Sequence, residues 1–209
     1  MLHRLLKGFI VFLAIGVSGY SLSYFDFEVK SLLLLKEELI RQRWYQLLFY
    51  SHLAGGAVAL SLGGFQFSRT LLRKRKMLHR RIGKTYLMAV AWSGSTGLFI
   101  AFLAYGGWIA KLGFAGMAIG WLFTSWRGFQ TIRAGNVDAH QRWMLRSYAF
   151  TLAAVSFRLW LLGGPLFGID FLPLYRFDSW AAWVGNLVVA EVYLAFQRPS
   201  LAPAAAPLE

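Results

Sequence analysis

The sequence predicts an all-α fold, a polytopic transmembrane helix bundle of about six spans. Three observations predict it. Hydrophobic residues make up 57% of the 209 and charged residues only 15%, with mean hydropathy +0.50, more apolar mass than one soluble core of this size hides. Apolar runs of ~20 residues, the length that crosses ~30 Å of hydrocarbon, recur along the chain. The basic residues collect in short connections between those runs, as in a protein whose loops face a membrane surface.

The first run, residues 7–25, follows Arg4 and Lys7. That charge order also suits a signal peptide with a small-residue cleavage point at 16–19, but the apolar run continues to Phe25 and no soluble domain follows, so a retained span is expected. Residues 27–44 set Leu32, Leu33, Leu34, Leu35 and Ile40 against Lys36, Glu37, Glu38, Arg41 and Arg43, the pattern of an amphipathic helix lying in the interface. Further spans are expected at 46–68, 84–105, 108–130, 144–164 and 179–197. The third carries Ala89, Ser93, Gly97 and Ala101 at helical spacing, and the fourth Gly113, Gly116, Gly120 and Thr124; such faces let backbones approach closely and predict a compact bundle. Trp44, Tyr45, Trp108, Trp126, Trp143, Trp180 and Trp183 fall at span ends, where amphipathic rings favour the headgroup level. Residues 1–197 thus read as one bundle, and the Pro- and Ala-rich tail 198–209 as disordered.

Orientation follows from Lys and Arg. With the N-terminus cytoplasmic, 15 of these residues fall inside and 6 outside, leaving Arg158 in the membrane. Both termini are therefore expected on the cytoplasmic side. The net charge of +13 is explained by contact with the bilayer and its anionic phospholipid headgroups, so nucleic acid is not expected as a partner. The absence of cysteine removes disulfides, thiolate nucleophiles and iron–sulfur clusters.

A repeat is visible. Gly64, Phe65 and Gln66 are followed by a basic loop, His79 and Tyr86; Gly128, Phe129 and Gln130 are followed by a short polar loop, His140 and Tyr148. Spans two and three thus resemble spans four and five, and because both copies start outside the repeat is parallel. It places His79 and His140 opposite each other near the cytoplasmic surface.

Polar groups also share helix faces. At 100° per residue His140, Met144, Ser147, Thr151, Ala154 and Arg158 line one side of the fifth span, and His52, Gly56, Ala59, Gly63 and Gln66 one side of the second. Asn186 and Glu191 stand in the sixth. Ionisable groups at such depth are costly and usually point into a bundle, which makes His52, Arg158 and Glu191, with Gln66 and Gln130, candidate functional residues. The plainer alternatives are that Arg158 bonds carbonyls or snorkels, that His52 staples two helices, and that Glu191 is protonated or paired with an amide.

Taken together, His52 with Gly55 and Gly56, GGFQF at 63–67, HRRIGKTY at 79–86, HQRWMLRSYAF at 140–150, Arg158-Leu159 and WVGNLVVAE at 183–191 resemble a large family of predicted bacterial membrane proteins of unknown function. The resemblance covers nearly the whole chain and implies a multi-pass protein of the bacterial inner membrane. A distant similarity to the six-helix, ascorbate-reducible dihaem cytochromes b implies a haem held by His79 and His140, with Arg81 and Arg142 on its propionates. The second histidine pair of those cytochromes has no counterpart here.

Three chemistries are therefore open. A b-type haem or quinone at His79 and His140 would transfer electrons. A polar seam of His52, Arg158 and Glu191 would carry an anion or protons in a transporter. A zinc set of His79, His140 and Asp138 would act on lipid. Alternatively, the chain is a structural or lipid-binding subunit whose basic residues Arg80, Arg81, Lys84, Arg142 and Arg146 hold anionic headgroups.

Overall fold

A computed structural model of the chain describes residues 2–26 and 31–197. Lys30, Arg198 and the tail 198–209 lie outside the described residues, as do the side chains of Arg4, Lys7, Leu32, Leu33 and Arg69. The described chain is all helical: α1 (Leu2–Leu22), α2 (Glu37–Ile40), α3 (Arg43–Gly63), α4 (Arg69–Lys74), α5 (Lys76–Ala101), α6 (Gly107–Arg133), α7 (Val137–Gly163) and α8 (Phe171–Phe196), with short 3-10 turns between.

Local sequence sets several of the boundaries. The α6–α7 turn closes as a Schellman motif: Asn136 N–H donates to the Thr131 carbonyl at 2.9 Å and Gly135 N–H to that of Ile132 at 3.1 Å. Gly135 takes the left-handed φ of 76° that this motif needs. The Asn136 side chain then caps α7, accepting from Ala139 N–H at 2.9 Å. Ser68 does the same for α4, accepting from Leu71 N–H at 3.3 Å.

Around a centre formed by α5, α6 and α7, α3 packs along α5 and α8 along α7 and α6, while α1 closes the side against α3 and α7. The exterior is apolar. On α5, Met88, Trp92 and Phe99 are each more than 60% exposed, and on α6 Ile109, Ile119 and Phe123 each more than 50%. At the helix contacts the interior carries Ala59, Ala89, Ser93, Gly113, Thr124, Ser125, Ser147 and Thr151 around the larger Tyr86, Trp121 and Phe150. Small residues at the contacts allow the close backbone approach that, rather than escape from water, holds helices together in hydrocarbon.

Among the described residues four stretches are long and apolar enough to cross a membrane: Gly8–Asp26, Arg43–Phe67, Val137–Phe167 and Phe171–Phe196. At 26 and 27 residues α5 and α6 match them in length. They are diluted by glycine, serine and tryptophan, and α5 also by the charges of its first turns.

Three local expectations change. The interfacial segment is a 3-10 turn, Ser31–Lys36, plus the single turn α2, not one long amphipathic helix. Ile40 is buried beside Tyr24 and Tyr45, which fixes the segment against the helix ends. The basic stretch expected as a loop is helical, so His79 stands on the first turn of α5. Finally, α8 begins at Phe171, eight residues before the expected span, and this brings Asp178 inside the helix.

Candidate functional site

At the centre of the bundle a closed set of hydroxyls joins three helices. The Tyr86 hydroxyl of α5 lies 2.7 Å from Ser147 Oγ and 2.8 Å from Thr151 Oγ1 of α7. Ser147 Oγ meets Ser125 Oγ of α6 at 2.7 Å, and Trp121 Nε1 of α6 donates to Thr151 Oγ1 at 2.9 Å. All five side chains are buried. The α7 face predicted from periodicity is thus the polar seam of the core, and its partners are Tyr86, Trp121 and Ser125.

Toward the end of the bundle that carries the basic helix starts, the seam stops being satisfied. A cavity of about 10 Å³ is lined by Gly63, Gln66, Phe67, Tyr86, Met144 and Tyr148, room for about one water-sized group. Its surface is apolar, and beside it Gln66 Nε2 and the Tyr148 hydroxyl are buried with no partner. Gly63 makes the approach possible, because a methyl there would fall 2.5 Å from the Tyr148 ring. One turn beyond, Gln66 Oε1 sits against Gly83, and His79 Nδ1 is again buried and unpartnered. Three unpaired polar atoms fall in one region, although buried polar atoms normally find a partner.

The two histidines lie within electrostatic range of each other, but they are not equivalent. His140 Nδ1 lies 2.8 Å from the Gly128 carbonyl, whereas His79 Nδ1 has no such partner. Burial, and then the neighbouring His140, hold the His79 imidazole below its ordinary pKa of 6.5. A folded-state pKa depressed in this way means that the unfolded chain binds the proton more readily, so stability rises with pH. Thermal melts are therefore expected to show stability that is complete above 6.5 and declines as pH falls below it. His79→Gln should flatten that slope, and an unchanged slope would assign it to another group.

A basic rim surrounds this end. Arg80, Arg81 and Lys84 are exposed on α5, and Arg142 is half-buried on α7. Trp143 is flanked by Arg127 at 5.5 Å and Arg146 at 4.9 Å, both stacked toward its ring.

The other candidates are dispersed. His52 Nδ1 lies 2.8 Å from the Ser93 carbonyl, Ser93 Oγ donates to the His52 carbonyl at 2.7 Å, and the ring lies over Gly97, so His52 staples α3 to α5. Arg158 donates to its own helix at the Ala154 carbonyl, 2.9 Å, and to Ser21 Oγ of α1, 3.2 Å. Glu191, expected to point inward, is 47% exposed and forms a two-pronged pair with Arg146 at 2.5 and 2.8 Å across α7 and α8. Gln130, expected within the membrane, is exposed and accepts from Arg127 at 3.2 Å. His52 and Arg158 lie within electrostatic range of each other although each bonds a different helix, whereas Glu191 makes its contacts apart from both. Among the described residues no three His, Asp or Glu side chains gather as a metal-holding group, so the His79, His140 and Asp138 set is not assembled.

Sequence reasoning missed Tyr148 and Tyr86 as members of the site, although both close the repeated motifs, and it missed Asp178 altogether. Comparison with curated proteins and with solved structures gave no match. A family model described as "Predicted membrane protein (DUF2306)" matches residues 49–194, which takes in α3 from its second turn, all of α4 to α7 and nearly all of α8. With its apolar exterior, four membrane-length helices and this match over most of its length, the chain belongs to the DUF2306 family of predicted membrane proteins.

Proposed function

We propose that this protein is a six-span protein of the bacterial inner membrane, with both termini cytoplasmic, that binds the oxygen-rich headgroup of an anionic phospholipid at its inner-leaflet end. The observation that carries the reading is the group of three buried polar atoms without partners, Gln66 Nε2, the Tyr148 hydroxyl and His79 Nδ1, beside Arg80, Arg81, Lys84 and Arg142. The amide N–H and the hydroxyl favour a ligand that presents oxygens, and the surrounding cations favour a negative one. A lipid phosphate supplies both and is already present at that depth.

The six-span count is supported by length. At 1.5 Å per residue α5 and α6 extend about 40 Å, enough to cross the hydrocarbon core, and their outer faces carry large apolar side chains. The pairing of α3 with α5 and of α6 with α7 supports the parallel repeat. The excess of Lys and Arg in connections on one side supports the orientation.

The transport seam is incomplete, because Glu191 pairs with Arg146 apart from His52 and Arg158.

The test is thermal stability of the full chain in neutral detergent with added phosphatidylglycerol or phosphatidylcholine. At a hundredfold excess over Kd, phosphatidylglycerol should raise Tm by about 5–10 °C. The Gln66→Leu/Tyr148→Phe double variant and Arg81→Ala/Arg142→Ala should each lose most of that gain. Equal stabilisation by both lipids, or full gain in the variants, would refute the reading. A Soret band or a co-extracted quinone in the purified protein would replace it with the redox one.

A further inference from the structure

The second unsatisfied group in the bundle is far from the basic rim. Asp178 of α8 is fully buried, at 0% exposure, and neither carboxyl oxygen has a hydrogen-bond partner. It lies seven residues into α8, ~10 Å along the helix from its start. Its helix packs on α6 and α7, and Tyr175, Ser179 and Ala182 are buried on the same side.

Four donors along this stretch are committed elsewhere. Arg176 Nε donates to the Gly106 carbonyl at 2.7 Å and Ser179 Oγ to the Arg176 carbonyl at 2.7 Å. Trp180 Nε1 donates to the Ile109 carbonyl at 3.0 Å and Trp183 Nε1 to that of Ser179 at 3.0 Å. Of the charged groups on the packed elements, Lys111 of α6 lies over the Trp108 ring at 5.3 Å, Arg158 of α7 reaches toward α1, and Arg146 of α7 pairs with Glu191. Tyr175 is the titratable group close enough to sense the carboxyl. No cation faces it. An ionised carboxylate without donor or counter-charge in such surroundings is prohibitively costly, and such groups neutralise instead.

We propose that Asp178 is an intramembrane proton-binding site, loaded at neutral pH, with the proton held on a carboxyl oxygen between α6, α7 and α8. Buried carboxyls of this kind carry protons in membrane proteins, and a cation in its place would need several further oxygens that the site does not present. The inference is independent of the headgroup site, since no residue is shared.

The chain suits a direct test because it has only four aspartates, Asp26, Asp138, Asp170 and Asp178. The first three are exposed. Full-length protein labelled with carbon-13 at the aspartate carboxyl should give resonances that are followed from about pH 4 to about pH 8. Three should reach the ionised position by neutral pH, and one should keep the shift of a neutral acid. That one should be absent in Asp178→Asn and, in the unsubstituted protein, should resist broadening by a water-soluble paramagnetic agent. The second criterion assigns the signal even where the variant fails to fold. Four ionised resonances at neutral pH would overturn the proposal, and a protected resonance that shifts only on adding sodium or potassium would replace the proton with that ion.

Discussion

Replacing Gly113 by leucine is expected to break the seam between α6 and α8 and to cost about 3 kcal/mol or more, the upper range for overpacking. A Cβ there would fall 2.5 Å from Ser179 Oγ, 2.8 Å from the Ser179 carbonyl oxygen and 2.9 Å from Trp180 Cδ1. A side-chain tip can rotate away, but the carbonyl belongs to the α8 backbone, so the helices must separate. One turn along, Gly116 offers a control: a Cβ there meets the Trp183 ring at 3.5 Å, an ordinary contact. Gly116→Ala should change stability by no more than ~0.5 kcal/mol. Unfolding in mixed micelles of a denaturing detergent measures both, and equal stability of the two variants would show that the seam is not tight.

The hydroxyl network gives the second large effect. Tyr86 is 1% exposed and touches the α6–α7 core through its ring and its hydroxyl. Tyr86→Ala should cost about 3–5 kcal/mol through the cavity it leaves. Tyr86→Phe keeps the ring and should cost only ~1 kcal/mol, because Ser147 retains Ser125 and Thr151 retains Trp121 and the Ser147 carbonyl. The same unfolding assay separates the terms. Equal losses in the two variants would mean that the hydroxyl, not the ring, holds the three helices.

Much of this bundle could be read from the chain. The Trp108 and Trp126 rings expected at the interfaces are 69% and 56% exposed, whereas Tyr45, expected with them, is 1% exposed and packs with Tyr24 and Ile40 inside the bundle. Trp121, never placed among those anchors, is 8% exposed and donates into the core. Ser147 and Thr151 were legible because a 3.6-residue period fixes which side chains share a face. The small-residue stripe of α6 was legible as a stripe, but not the difference between Gly113 and Gly116, which depends on where α8 crosses.

The failures have one cause apiece. Glu191 was expected inside because ionisable groups in spans usually are, yet α8 is rotated so that Glu191 meets Arg146 at the surface of the bundle. Asp178 was passed over because the hydropathy window starts at Ser179, whereas the helix continues back through Leu174 and Tyr175 to Phe171. Its Asp and Arg depress the window average without ending the hydrogen-bonded helix.

Composition, the lengths of the apolar runs and the distribution of Lys and Arg determine by themselves that this is a helical membrane protein, because lipid imposes the same length and charge rules on every span. Which polar groups meet was decided only in three dimensions. Periodicity gives each helix a face but not its rotation about its axis or its height against a neighbour, and those two quantities make Tyr86 a partner of Ser147, leave His79 without the carbonyl that His140 has, and bury Asp178 with no donor.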